Sequence, residues 1–211
     1  MGVNKIAIET VARLGKRSSD YLAFGQKIEF AHAFTNDLSA SLTVLGDYHR
    51  INPRSGYENE IEKVPARYLF NGFGGELRYR FLNRSTSPFG MTLHIEPMVA
   101  LSDEASGLRG RKYGSENKLI FDREVIKDAF FVAFNLTHEI EVTKEKGGIA
   151  WERGSVVGAS LAGSWQLTNG IFLGAETRYL RAYDGLSLTA YKGDAIYVGP
   201  TMTWVKGEAF A

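Results

Sequence analysis

The chain has 211 residues, and its 25 lysines and arginines stand against 24 aspartates and glutamates, a formal net charge of +1. That balance excludes the basic footprint of a nucleic-acid binder, and the absence of cysteine excludes disulfides, thiolate metal sites and a cysteine nucleophile. No apolar run approaches the roughly 18 residues of a membrane helix, whereas glycine (23), phenylalanine (13) and tyrosine (10) are plentiful.

The first residues, MGVNKIAIETVARLGKR, hold neither an apolar stretch of signal-peptide length nor a small-residue cleavage site. An exported protein with this start would be a mature chain or a fragment. From there the dominant period is two, the signature of strands. Lys5–Leu14 is a first, weakly patterned strand. Between Leu22 and Phe30, Leu22, Phe24, Ile28 and Phe30 share a face, and Lys27 and Glu29 oppose them. Leu38–Ile51 follows, again weakly. Between Phe73 and Leu82, Phe73, Leu77, Tyr79 and Phe81 oppose Glu76, Arg78 and Arg80. Phe89, Met91, Leu93 and Ile95 then oppose Thr92, His94 and Glu96. After Lys118–Ile126, the run Phe130, Val132, Phe134, Leu136 and Ile140 opposes Asn135, Thr137, Glu139 and Glu141. Ser155–Leu167 precedes a stretch in which Ile171, Leu173, Ala175 and Tyr179 oppose Gly174, Glu176 and Arg178. Asp194–Val205 is the last. The reading is all-β, with about ten antiparallel strands in a single domain over residues 1–211.

The connections alternate in length. Thr35–Asp37, Asn83–Pro88, Lys127-Asp128 and Thr168–Gly170 are short, while Asn52–Gly72, Ser102–Glu116, Thr143–Gly154 and Asp184–Gly193 are long. Gly15–Asp20 breaks the rule by being short. Alternation alone fits a soluble sandwich or lipocalin-like barrel, with its apolar face inward, as well as a membrane barrel, with that face outward. Three features favour the membrane. Strand lengths approach the ~9–11 residues that a tilted strand needs to cross the hydrocarbon. Short turns alternate with long loops, as in outer-membrane barrels. Tyr21, Phe34, Phe81, Trp165, Tyr183 and Trp204 stand near strand ends, where interfacial aromatic girdles form.

The runs QKIEFAHAF, FGGELRYRF, GIFLGAETRYLRAYDGL and DAIYVGPTMTW resemble proteobacterial outer-membrane β-barrel proteins, in particular a porin-like or transporter-like alphaproteobacterial group. The resemblance implies an up-and-down transmembrane barrel in the outer membrane of a Gram-negative bacterium, with lipid as its partner and its cargo left open, a small solute being the candidate. Such chains usually end on a strand with a terminal aromatic. Here Lys206-Gly207-Glu208 follows Trp204, so the tail either hangs free or begins a further strand pair, which would raise the count to twelve. With ten strands, Lys5–Leu14 is expected to pair with Asp194–Val205 and close the barrel. Pro200 fits that closure poorly, because a closed barrel has no free edge.

Motifs with chemistry are scarce: no G-x-S-x-G, H-E-x-x-H, P-loop or spaced G-x-G-x-x-G is present, and no cofactor or metal is expected. Gly72, Gly74 and Gly75 read as room for close strand approach or curvature. Asp47 and His49 share a face near a loop end, and His94 and Glu96 share a face. A carboxylate beside an imidazole is the minimum for general-base work, so a lipid- or peptide-hydrolysing barrel is the enzyme alternative, although no serine is placed by sequence to complete a triad. His32 and His138 fall on the aromatic face and are expected at the interfaces. The expected lumen lining is Lys27, Glu29, Glu76, Arg78, Arg80, His94, Glu96, Glu139, Glu141, Glu176 and Arg178. These mixed charges read either as a solute-guiding pore or as a salt-bridged filling. Barrels of about eight strands are filled by their side chains, so ten strands favour a narrow channel or a structural membrane protein.

Overall fold

The structure, a computed structural model, describes residues 2–103 and 106–205. All ten expected strands form: β1 (Asn4–Lys16), β2 (Ser19–Ala33), β3 (Leu38–Pro53), β4 (Val64–Leu82), β5 (Gly90–Ser102), β6 (Arg109–Ile126), β7 (Phe130–Glu145), β8 (Glu152–Thr168), β9 (Ile171–Asp184) and β10 (Ala190–Trp204). They make one sheet in the order β1 to β10, each strand beside its sequence neighbours. The ladders β1–β2, β2–β3, β8–β9 and β9–β10 are antiparallel. No helix occurs among the described residues. Register sets apolar side chains in rows across one face. Ile8 stands opposite Ile28, Phe30 opposite Leu42, Trp165 opposite Leu173, and Leu173 opposite Met202.

Contacts divide the chain into two compact units. The first holds residues 1–77, 96–115 and 141–152. Its polar face is concave. Lys27 on β2 reaches Glu96 on β5, Nζ to Oε1 2.9 Å, although three strand spacings on a flat sheet would separate their backbones by about 14 Å. A small apolar cluster of Tyr21, Ala23, Ile51 and Val64 lies near the long-loop ends of β2, β3 and β4, with Ile61 of the β3–β4 loop packed on it. The second unit holds residues 78–95, 116–140 and 153–211. Ring contacts hold its aromatic face: Phe89 with Phe121, Phe121 with Phe134, and Phe130 with Trp165.

Three expectations change. First, the strands run 13 to 19 residues, and β4 begins at Val64 and β6 at Arg109, inside segments that read as loops. The cause in β4 is a slip of alternation at Gly72. Tyr68 and Phe70 are exposed before it and Phe73 after it, so Phe70 and Phe73, three apart, meet ring to ring at 4.9 Å. Gly72 has φ of 154°, and a Cβ there would overlap the Val99 carbonyl. A backbone approach this close needs glycine. Second, β1 and β10 are the two ends of the strand order, and their expected pairing is not part of it among the described residues. Pro200 therefore sits on an end strand, where a missing N–H is tolerated. Third, the tail from residue 206 onward, which bears on the twelve-strand alternative, lies outside the described residues.

Candidate functional site: the buried polar face

Burial separates the two faces of the sheet in an unusual sense. Among the described residues, ten polar side chains are buried, including Thr43, Asp47, His49, Asn71, His94 and Ser102, against six apolar ones. Large apolar residues are exposed along every strand: Ile8, Phe30, Leu42, Phe73, Leu101, Tyr113, Leu136, Leu161, Tyr179 and Ile196 among them. A water-soluble sandwich buries such residues and wets the polar ones. Here the sense is reversed.

The best-organised part of the polar face joins β3, β4 and β5. Asn71 Nδ2 donates to Asp47 Oδ2, and Asn71 Oδ1 accepts from the Leu101 and Ser102 amides at 3.0 and 2.8 Å. Those backbone donors fix which way the Asn71 amide points. Ser102 Oγ lies 2.9 Å from Asp47 Oδ2 and 2.8 Å from Asn71 Oδ1, and its single proton serves one of these two acceptors at a time. Asn71 follows exposed Tyr68 and Phe70 in alternation, which puts it on this face. His49 is buried too, and Gly107 of the β5–β6 loop lies against its ring; a Cβ on that glycine would come 2.7 Å from His49 Cγ. Arg67 Nη2 reaches the Gly107 carbonyl at 3.5 Å. A loop thus covers the long-loop end of β3.

The other expected lining residues divide between the units. In the first, Lys27 and Glu96 are paired, as are Glu141 and Lys112 at 2.6 Å. Glu29 and Glu76 are half-buried on β2 and β4. In the second, Glu139 stands among Glu116, Lys118 and Arg178. Glu176 pairs with Arg178 at 3.2 Å, and Glu116 with Lys118. His94 is buried on β5, Arg80 half-buried and Arg78 exposed on β4. Asn135 donates to Ser160 Oγ at 3.1 Å. His32 stands beside Phe34 and Asn4, close to the β2–β3 turn. His138 instead stands at mid-strand in β7, where its carbonyl accepts from Asn117. Sequence reasoning missed Asn71, Ser102, Lys112 and Glu116, all of which fell in segments read as loops or at their margins.

Both ends of the strands carry aromatic contacts on the exposed face. At the short-turn end, Phe130 stacks on Trp165, with centroids 5.6 Å apart. At the long-loop end, Tyr113 lies 5.9 Å from Trp151, and Arg181 lies over Tyr191.

The family described as "Family of unknown function (DUF6662)" matches residues 1–211. The chain belongs to that family. The match covers all ten strands, so the buried polar face and the aromatic strand ends both lie within the family's matched span. No curated protein matches the chain.

Proposed function

We propose that this member of the family is a β-barrel protein of the bacterial outer membrane, porin-like in architecture, whose aromatic face meets lipid and whose charged face fills the interior. The observation that carries the reading is the reversed burial. A sheet that exposes its large apolar residues along every strand presents far more apolar surface than soluble monomers tolerate. In a bilayer that face is the favourable one. The aromatic contacts at both strand ends add the girdles that such barrels place at their interfaces.

Hydrocarbon leaves no water for unpaired backbone groups. The free sides of β1 and β10 must therefore be satisfied in the membrane; pairing of these two strands would close the barrel, with Pro200 bringing no N–H to that seam. With Asp47, Asn71 and Ser102 bonded to one another, and Lys27 and Lys112 paired with Glu96 and Glu141, the polar face of the first unit favours a filled interior or a narrow, small-solute path over a wide pore. The hydrolase alternative finds no support at Asp47, whose Oδ2 is engaged by Asn71 and Ser102. Gel migration of the detergent-extracted protein, boiled against unboiled, tests the membrane reading. A compact, faster unboiled form that requires detergent is expected. A chain that is soluble without detergent and migrates identically in both samples contradicts it. Planar-bilayer recording then separates the two roles: small discrete conductance steps mark a channel, and silence a structural protein.

A further inference from the structure

The starts of β6 and β8 and the end of β7 hold a concentration of positive charge that the polar face does not use. Arg109, Arg111 and Tyr113 alternate along β6 on the exposed aromatic face, whereas Lys112 points to the opposite face and pairs with Glu141. A Cβ on Gly110 would come 2.6 Å from the Lys144 carbonyl, so this glycine lets β7 approach closely. The Lys146 amide donates to the Arg109 carbonyl at 2.8 Å. The arginine row and the lysine row are thereby set side by side. Trp151, at the entry to β8, sits 5.9 Å from the Tyr113 ring, with Lys144 Nζ 5.8 Å above its own. Arg109, Arg111, Lys144, Lys146 and Trp151 line a cavity of about 640 Å³, with Tyr113 beside it against Trp151, and Glu145 is the one carboxylate among the described lining residues. Arg109, Arg111, Lys144 and Lys146 have no ion pair among the described residues.

We infer that this cavity binds the phosphate of an anionic lipid headgroup. The inference rests on the outer-membrane reading, which puts the Tyr113–Trp151 pair at the membrane–water interface. Indole and phenol rings settle at headgroup depth, guanidinium groups bind phosphate oxygens in a fork, and cations near the surface attract anionic lipid. Four cations against one carboxylate supply the complementary charge, and the aromatic pair supplies the depth.

Two single-tryptophan proteins test the site, one retaining Trp151 (W165F/W204F) and one retaining Trp165 (W151F/W204F). Each is placed in phosphatidylcholine vesicles with equal small fractions of either phosphatidylcholine or phosphatidic acid brominated near the headgroup. Trp165 should be quenched equally by the two lipids. Trp151 should be quenched more by the phosphatidic acid, and inorganic phosphate should not remove the excess. R109Q/R111Q and K144Q/K146Q, checked for folding by heat-dependent migration, should each reduce the enrichment, by about fivefold per cation removed. Equal quenching of Trp151 by both lipids, with Trp165 quenched, overturns the lipid site and leaves the barrel standing. Loss of the excess on adding inorganic phosphate overturns the lipid as occupant. An unquenched Trp165 overturns the membrane reading itself.

Discussion

Replacing Asn71 by alanine tests whether the polar face is a packed filling or a wet lining. The substitution removes the donor to Asp47 Oδ2 and the oxygen that accepts from the Leu101 and Ser102 amides. Asn71 is 1% exposed and Ser102 4%, so solvent does not reach these groups without rearrangement. Each buried group left without a partner costs about 1–3 kcal/mol. Two amides and one carboxylate position are affected, and Ser102 Oγ remains to serve Asp47. The expected loss is therefore about 3–5 kcal/mol. Urea unfolding of the protein in lipid vesicles, followed by tryptophan fluorescence, measures it. Glu62→Ala, at an exposed loop position, is the control and should change stability by less than about 0.5 kcal/mol. A loss below about 1 kcal/mol for Asn71→Ala would mean that water replaces the amide at no great cost, and would refute the filled interior.

Other substitutions probe the wall and its seam. Leu77→Arg should destabilise the vesicle-inserted protein by about 2–4 kcal/mol in the same urea assay if Leu77 lies near the bilayer midplane. In water, a leucine already 45% exposed would tolerate the change. Gly72→Ala should destabilise by at least about 1–3 kcal/mol, since it forces an alanine into a glycine conformation against the Val99 carbonyl. Gly185→Ala, also at positive φ but in open space, should lose less. In vesicles, a cysteine pair at Ile8 and Met202, or at register neighbours, should crosslink within one chain as β1 and β10 close. Absence of an intrachain crosslink in every register argues against closure by these two strands.

Where a strand has one consistent face, its existence and the division of its residues between two faces were legible from alternation alone. Leu22–Phe30, Phe130–Glu141 and Ile171–Tyr179 each lie wholly inside an observed strand. Residues 64–72 were not legible. They fell in the Asn52–Gly72 connection, and the slip at Gly72 puts Phe70 and Phe73 on one face at a spacing of three, which no two-residue period predicts. The same slip hid Asn71, and with it the network on Asp47. Lys112 and Glu116 were lost differently: arginines on one face, with lysine and glycine on the other, look like loop composition when Tyr113 alone between Arg109 and Glu116 marks the strand's outer face. Pairings across the polar face, such as Lys27 with Glu96, depend on curvature of the sheet. Curvature is a property of many strands together and leaves no local mark.

The central claim is the sense of the wall, and cysteine scanning of residues 77 to 81 in vesicles tests it directly. Single cysteines at Leu77, Tyr79 and Phe81 should react with a lipid-phase reagent and resist a water-phase one. Cysteines at Arg78 and Arg80 should do the opposite. Water-phase labelling at Tyr79 together with lipid-phase labelling at Arg78 would contradict the account.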